Sequence, residues 1–520
     1  MRKISAYIAV SLYHFLMLLR FRCKNFRSIR EEQTLSLIAA KTRVDEKSES
    51  LIDTPFDDLK LLRCAAIYGP NASGKSNVLA ALSAFRQIVL DSQRLWKPFG
   101  PIPAHDPFLL DELSRTEDTE FEIGFLIDST TYKYGFRFDL TAFHEEWLID
   151  TTGRRDKELF RRTTESPQSI KRREVEDLRT YSALPVLEKI ADSKRRSLEF
   201  LGAVDALTTI SFPNRNLGKT LEDSRHLESI RLDVRPNSLF LSASAQKNHP
   251  VLSKICAYLT DAIDVIRGQD IPSLMTRTTA TCSEVGRREQ IAKMMEFPDT
   301  GIHGLIIFQH ELPDREKREL RAAFTRLKGE NPEDSSPIWP ADFALSAGID
   351  PADYNIRFIH FGAGGRSYQL EGSQESDGTI AYFSILGPLL DSLRDGKVLM
   401  IDELESSLHP ALARELVRLF NSHDLNPKGA QIIFTTHSTN LLDLELLRRD
   451  QVWFTEKTRD GATRLFPLSD YQPRTNQNIE AGYLGGRFGA IPFLDNQLLR
   501  EALTSAKDSS STSKNASGEI

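Results

Sequence analysis

The chain has 520 residues, enough for roughly two to four domains with sizeable cores, and at 40% hydrophobic and 27% charged it has the composition of an ordinary globular protein. A formal net charge of −6 excludes an overall basic surface, so any contact with nucleic acid has to come from a local patch. Cys23, Cys64, Cys256 and Cys282 are scattered with no C-x-x-C pair, which argues against a zinc site and fits a reducing, cytoplasmic compartment.

Residues 4–19, ISAYIAVSLYHFLMLL, follow Arg2-Lys3 in the manner of a signal-peptide core. No small-residue cleavage site follows, and the run is short against the roughly 20 residues of a membrane span. Residues 1–16 therefore read as an upstream extension with Met17 as the start, the alternative being a weak membrane-associating segment. No other run is long enough to span a bilayer, which excludes a membrane transporter subunit but not a soluble partner of one.

Residues 17–39 and 61–68 read as strands, the second apolar enough to be covered on both faces, and a helix is expected from Lys75 to about Leu90. TEFEIGFLI (119–127) and YKYGFRFDL (132–140) read as a hairpin around DSTT. Between 161 and 295 charged helical patterns dominate. Strands return at 303–312 and 354–362, with a polar loop centred on KGENPEDSSP between them. The last third alternates: helix 376–394, strand 397–402, helix 410–421, strand 430–435, helix 439–448, strand 450–455, and a polar Ser-rich tail from about 504. The expected division is an extension 1–16, an N-terminal lobe 17–160, a helical insertion 161–295, a C-terminal lobe 296–495 and a tail 496–520.

Gly69-Pro70-Asn71-Ala72-Ser73-Gly74-Lys75-Ser76 matches G-x-x-x-x-G-K-[ST] after a buried strand and at the start of a helix. Small residues let backbone N–H groups, including that of Asn77, curl around phosphate oxygens at a helix N-terminus. Lys75 would reach the β- and γ-phosphates, and the Ser76 hydroxyl would bind Mg²⁺. KVLMIDELESSLHP (397–410) supplies Asp402 as the second metal group at a strand end, and Glu403 to orient or deprotonate the attacking water. QIIFTTHSTNLL (431–442) is a third buried strand ending near His437, a candidate to reach the γ-phosphate.

This set resembles the ATP-binding-cassette class of P-loop NTPases, and more closely its SMC- and RecF-like branch, whose heads open like LLRFRCKNFRSIREEQTLSL with Asn25, Phe26 and Ser28 in an NF-S turn. The fold it implies is α/β: an ABC-type ATPase head with an N-terminal antiparallel β subdomain and a helical insertion. The resemblance also implies a signature loop acting in trans, for which Glu375-Ser376-Asp377-Gly378-Thr379 is the candidate through Ser376 and Gly378; Ser376 equally fits a helix N-cap. ESDGT, IDELESSLHP, IIFTTHSTNLLD, RRDQVWFTEK and YLGGRFGAIP resemble stretches of small AAA-family ATPases of the RloA, AbiLi and PARIS (AriA-like) kind, associated with anti-phage defence.

What the resemblance implies is an ATP- and Mg²⁺-dependent hydrolase acting as a nucleotide switch: a homodimer or higher homo-oligomer with ATP at the seam. The Ser406–His409 turn would lie at that seam. The stretch after His437 is short for an added nuclease domain, so a separately encoded effector, a nuclease or toxin, is expected. Two other readings stay open: a RecF- or SMC-like protein binding DNA directly through Lys171-Arg172-Arg173 and Lys194-Arg195-Arg196, and an ATP-dependent scaffold storing a partner. Gln87 and Gln93 are alternatives for a Q-loop, and YLGGRFGAIP (483–492) reads as either an anion nest or a tight turn.

Overall fold

The computed structural model describes residues 16–40, 48–164, 208–212, 221–267, 270–309, 354–406, 408–473 and 477–492. The strands are β1 (Leu16–Lys24), β2 (Gln33–Ser36), β3 (Leu51–Asp53), β4 (Lys60–Leu62), β5 (Cys64–Tyr68), β6 (Thr119–Ile127), β7 (Thr130–Phe138), β8 (Phe143–Asp150) and β9 (Lys157–Thr164). They continue as β10 (Thr208–Ser211), β11 (Ile263–Ile266), β12 (Ile302–Gln309), β13 (Tyr354–Phe361), β14 (Ser367–Glu371), β15 (Val398–Ile401), β16 (Gln431–Thr435), β17 (Val452–Lys457) and β18 (Thr463–Pro467). The helices are α1 (Lys75–Asp91), α2 (Leu221–Asp233), α3 (Phe240–Gln246), α4 (Leu252–Asp261), α5 (Ile271–Thr281), α6 (Val285–Glu296), α7 (Asp377–Asp395), α8 (Pro410–Asn421) and α9 (Ile479–Leu484).

Six strands form the central sheet in the order β11-β15-β16-β5-β17-β18, parallel except for β18. Every residue of β5, β15 and β16 is buried, as near-continuous apolar runs require when both faces are covered. Alternation then splits them between two cores: Cys64, Ala66 and Tyr68 face one, Ala65 and Ile67 the other. The parallel strands end at a common edge, where an open α/β sheet gathers its ligands.

The second sheet is antiparallel, in the order β10-β9-β8-β7-β6-β1-β2. Its aromatic face takes α1: Phe85 stacks on Phe136 with ring centres 5.3 Å apart. Gln431 at the start of β16 joins the two sheets. Its amide accepts from Leu18 N and donates to the carbonyls of Leu18 and Leu62, so a buried polar side chain is fully used.

Helix α7 contains Pro388, which cannot donate to the carbonyl of Ser384. The Thr278 hydroxyl of α5 makes that bond instead, at 2.8 Å, and accepts from Gly387 N. Arg277 adds ion pairs to Asp264 (2.8 Å) and Asp391 (3.1 Å), tying α5 to β11 and α7.

Most expected elements lie within a few residues of their places, with four differences. The stretch 61–68 is split: β4 pairs with β3 in a separate two-stranded sheet, and only β5 enters the central one. The stretch 17–39 is two strands, β1 and β2, joined through the Asn25–Ser28 turn. The span 161–295 holds helices α2–α6, but it also supplies the end of β9, all of β10, and β11 at the edge of the central sheet. The helix expected over 439–448 is only a 3₁₀ turn at Thr439–Leu441. There Asp443 accepts from Glu445 N and pairs with Arg414, a local side-chain bond that competes with helix continuation. Residues 1–15 of the expected extension, the stretch 310–353 with the polar loop, and the tail 496–520 lie outside the described residues, whereas Leu16, expected in the extension, opens β1 opposite Ile127. Among the described residues no helix is long and apolar enough to cross a membrane.

His144 on β8 gives the fold a pH dependence. Burial opposes its charged form, but a 2.9 Å contact with Asp139 and the charge of Asp118 outweigh it and raise the imidazole pKa. Burial likewise works to raise Asp139, yet bonds from His144 and Thr141 hold that carboxyl far below its ordinary range. The raised histidine contributes fully below its unfolded pKa of about 6.5 and fades as pH rises through the folded value. The depressed aspartate contributes fully above about 3.9 and fades as pH falls. The pair therefore stabilises most between about pH 4 and 6.5, by at most about 1 kcal/mol because Asp139 is partly open to solvent. In urea titrations His144→Asn should lower the unfolding midpoint at pH 5.5 and much less at pH 9; an equal deficit at both contradicts the assignment.

Candidate nucleotide site

The loop between β5 and α1 is shaped by close approach of its backbone to β17 and β18. A Cβ on Gly69 would lie 2.4 Å from Thr455 Oγ1, and one on Gly74 would lie 2.0 Å from Thr463 Oγ1. Gly74 also has φ 102°, where a side chain is strained. Ser73 shares a 2.7 Å hydrogen bond with Thr455, and Thr463 donates to the Ser73 carbonyl at 2.9 Å. Pro70 is half-buried, while Asn71, Ala72 and Ser76 are exposed at the mouth.

Lys75 is buried, and its Nζ donates to the carbonyls of Gly69 (2.9 Å) and Pro70 (3.2 Å). Burial lowers its pKa, against the opposing charges of Glu403, Asp402 and Glu405. Ser76 Oγ donates to Asp402 Oδ1 at 3.0 Å, joining residues 326 apart in sequence. Thr435 at the end of β16 donates to the same oxygen at 2.6 Å and accepts Glu403 N–H at 2.7 Å. Glu403 has φ 53°, a left-handed conformation rare outside glycine and frequent at functional turns. His437 is exposed at the end of the neighbouring strand; burial of its ring and then the Lys75 charge lower its pKa, against Glu405, Glu403 and Asp402. Four residues chosen from sequence, Lys75, Asp402, Glu403 and His437, thus share one electrostatic environment.

Other expected residues fall elsewhere. The Asn77 side-chain amide donates to Ser28 Oγ at 2.7 Å and braces the loop from behind. Ser28 also shares a 2.7 Å bond with Thr463, so the NF-S turn buttresses the P-loop. Asn25, fully buried, donates to the carbonyls of Ser114 and Glu117 and holds that turn in shape. Ser376 caps α7, accepting from Thr379 N at 3.1 Å; with Gly378 in the first turn, it lies at an exposed helix start braced by the His360–Glu375 contact.

Gln87 lies in the last turns of α1, about 18 Å from Lys75 along a helix rising about 1.5 Å per residue, and Gln93 lies just beyond the helix end at Asp91. In YLGGRFGAIP the N–H groups of Gly485, Gly486, Arg487 and Gly489 donate to carbonyls of α9 and of Gly486, the pattern of a tight turn at a helix end with those groups committed internally. The two basic runs lie outside the described residues, as does Ser407 of the Ser406–His409 turn. A cavity of about 660 Å³ lies behind the His437 loop, lined by residues such as Arg414, Asn440 and Glu480, and is separate from the P-loop.

Thr435, Thr455, Thr463 and Glu405 are the contributors that sequence reading missed. Single threonines at strand ends carry no local signal. Among the described residues no three His, Cys, Asp or Glu side chains converge on a metal position. A Mg²⁺ site of the kind expected needs only one or two protein ligands besides substrate phosphates.

A family profile described as "AAA domain, putative AbiEii toxin, Type IV TA system" matches residues 64–195 and 305–443, just over half of the chain. The chain belongs to this AAA-domain family. The two matched segments carry the P-loop and the Asp402–His437 strands that the fold brings together. No curated protein matches this AAA-family chain significantly. Among the solved structures that match are two distantly similar ones. One is the SMC head bound to the C-terminal winged-helix domain of ScpA, at 12% identity and TM-score 0.32, over 88% of this chain and 99% of that one. The other is the recombination mediator RecF in the RecFOR pathway, at 14% identity and TM-score 0.29, over 87% and 98%. The family match and the P-loop at the end of β5 support a nucleotide-binding AAA-family ATPase, built on a mainly parallel α/β sheet with an antiparallel β subdomain and a largely helical stretch between β10 and β12.

Proposed function

We propose that this AAA-family protein is a Mg²⁺-dependent ATP-hydrolysing switch that closes as a homodimer or higher homo-oligomer and controls a separately encoded effector in anti-phage or abortive-infection defence. The observation that carries the reading is the Ser76–Asp402–Thr435 cluster, which joins the P-loop helix to two strand ends at one sheet edge. The residues present fit the group: Gly69 and Gly74 leave backbone where side chains would clash, and Ser76 and Asp402 offer paired oxygen ligands. Bound Mg²⁺ neutralises charge on the phosphates.

In this reading the Gly69–Asn77 backbone cradles the triphosphate, and Lys75 leaves its loop carbonyls to neutralise it. Ser76 and Asp402 hold the metal, Glu403 activates water and His437 meets the γ-phosphate side. Ser376 and Gly378 belong to the partner-facing surface. What supports this is the exposure of Ser376, with Gly378 half-buried beside it, at the start of a 19-residue helix whose N-terminus favours an anion. The family's description, naming a toxin of a type IV toxin–antitoxin system, supports the defence setting.

The test reads assembly and turnover together. Wild type should dimerise with MgATP in mass photometry and hydrolyse it, whereas Lys75→Ala should remain at its apo size and lose turnover by at least about 10²-fold. Mixing two inactive variants, Lys75→Ala and Ser376→Arg, should restore part of the turnover, because a mixed dimer rebuilds one intact shared site. No recovery would mean that the site is completed within one chain. Phage plating on cells carrying the locus should show protection lost with Lys75→Ala; intact protection removes the defence role of ATP.

A further inference from the structure

The turn after Asp402 and the loop around His437 are fastened to each other from both sides. From β16, the Thr435 hydroxyl reaches across to Asp402 and to the Glu403 backbone, while Leu404 N donates to the Thr435 carbonyl. From the opposite side, the carboxylate of Glu405 reaches back: its Oε1 accepts the backbone N–H of His437. Sequence inspection gives Glu405 no role, since it follows Asp402 and Glu403 as one more acid before a helix.

We propose that Glu405 is a positioning residue for hydrolysis: its carboxylate locks the His437 loop to the Asp402–Glu403 turn, so that the histidine and the two acids meet the γ-phosphate as one rigid unit. The inference deepens the ATPase reading and rests on it.

The surroundings of Glu405 are not those of a surface acid. Its second oxygen, Oε2, is buried and takes no hydrogen bond among the described residues. The Tyr68 hydroxyl, at the end of β5 directly before Gly69, is also buried and without a partner among them. Burial first, then the charges of Cys64 and Glu405, push the Tyr68 phenol up, which puts this acid and the P-loop strand in one electrostatic environment. Buried polar atoms left unpaired are few in native proteins and recur at functional sites. Among the charges at the site, Glu405 helps keep Lys75 protonated and pulls against the lowering of His437. Its position therefore joins the acidic turn to the histidine loop by a hydrogen bond and places its charge within range of the P-loop strand.

A bond of this kind acts through geometry. A carboxylate accepting a backbone N–H is stronger than a neutral acceptor and fixes the loop it holds. Losing it lets His437 drift while leaving the cradle of Gly69–Asn77 unchanged, and displacements of about 1 Å at a reacting site cost on the order of 10²-fold in rate.

The experiment uses the full chain with three variants. Glu405→Ala should lower kcat by about 10- to 100-fold, with the equilibrium affinity for a fluorescent ATP analogue within about threefold of wild type. Glu405→Gln keeps an acceptor oxygen and should recover most of that loss. In a Glu405→Ala/His437→Ala double variant, the Glu405 change should have almost no further effect, because a residue acting through His437 is non-additive with it. His437 faces Lys75, Asp402, Glu403 and Glu405, so Glu405→Gln should also move the pH–rate limb that His437→Ala abolishes to lower pH.

Full turnover in Glu405→Ala overturns the proposal, as does a deficit that adds fully to that of His437→Ala. Hydrogen exchange of the 436–441 amides supplies a readout independent of hydrolysis. It should quicken in Glu405→Ala and stay near wild type in Glu405→Gln, and unchanged exchange in Glu405→Ala overturns the proposal even if turnover falls. If wild type itself lacks Lys75-dependent turnover, the ATPase reading fails, and the exchange result alone still decides whether Glu405 holds the loop.

Discussion

Glu403→Gln should lower MgATP turnover by about 10³-fold while ATP affinity stays within about threefold of wild type. The magnitude is that of removing a positioned general base, which contributes about 10²- to 10⁴-fold. The geometry is specific to this turn. Glu403 is held in a left-handed conformation, with its N–H committed to the Thr435 hydroxyl, so the backbone keeps its course when the carboxylate becomes an amide. Asp402 remains beside Ser76, and the groups assigned to binding are untouched. Stopped turnover with binding intact should also prolong the ATP-bound assembly, so mass photometry should show dimers persisting after ATP addition. Normal turnover in Glu403→Gln would remove this residue from the water-activating role. Weakened binding would instead move its role to the metal or phosphate.

Glu146→Ala should destabilise the protein by about 3–5 kcal/mol, the range seen when one partner of a buried charge pair is removed. Glu146 on β8 and Arg162 on β9 are both fully buried, 3.7 Å apart. The Glu146 carboxylate accepts from Phe240 N (2.6 Å), Leu241 N (2.9 Å) and the Tyr134 hydroxyl (2.9 Å). Arg162 donates to the carbonyls of Ser238 and Arg235 on the approach to α3. Removing the carboxylate strands a guanidinium in the core and leaves two N–H groups at the start of α3 without their acceptor. Urea unfolding monitored by far-UV circular dichroism should show a clearly lower midpoint. Glu146→Gln, which keeps an acceptor, should lose less. A Glu146→Ala/Arg162→Ala double variant should lose less than the two single changes together, since the stranded charge is gone. A loss below about 1 kcal/mol would mean that the antiparallel sheet and α3 do not depend on this junction.

The elements that were legible in sequence are those whose signal is local. The helix after the P-loop was expected from Lys75 to about Leu90 and ends at Asp91, because a glycine loop, a lysine and a run of apolar residues announce it. The Val398–Ile401 strand and the acids after it were equally plain, since a short apolar run closed by charge reads as a strand reaching a sheet edge. The 439–448 segment failed for the opposite reason. Its leucines are spaced for a helix, but Asp443 bonds its own neighbourhood and an arginine from α8, and these contacts come from tertiary placement. The role of the Asn77 side chain was equally illegible, because its partner Ser28 lies 49 residues away.

By itself the sequence determined the phosphate loop, the acids and the histidine, because each is specified by residues adjacent in the chain: small residues to free the backbone, a cation, a hydroxyl, a carboxylate at the end of an apolar run. Only the tertiary structure decided which of these meet. Ser76 touches Asp402 because β5, β16 and β15 lie side by side and end at one edge. Thr455 and Thr463 shape the P-loop because β17 and β18 pass behind it. Glu405 gained a role because the strand carrying His437 lies next to its own. Hydrogen bonds act over about 3 Å while these partners are separated by tens to hundreds of residues, so strand order, and not residue spacing, sets the pairings.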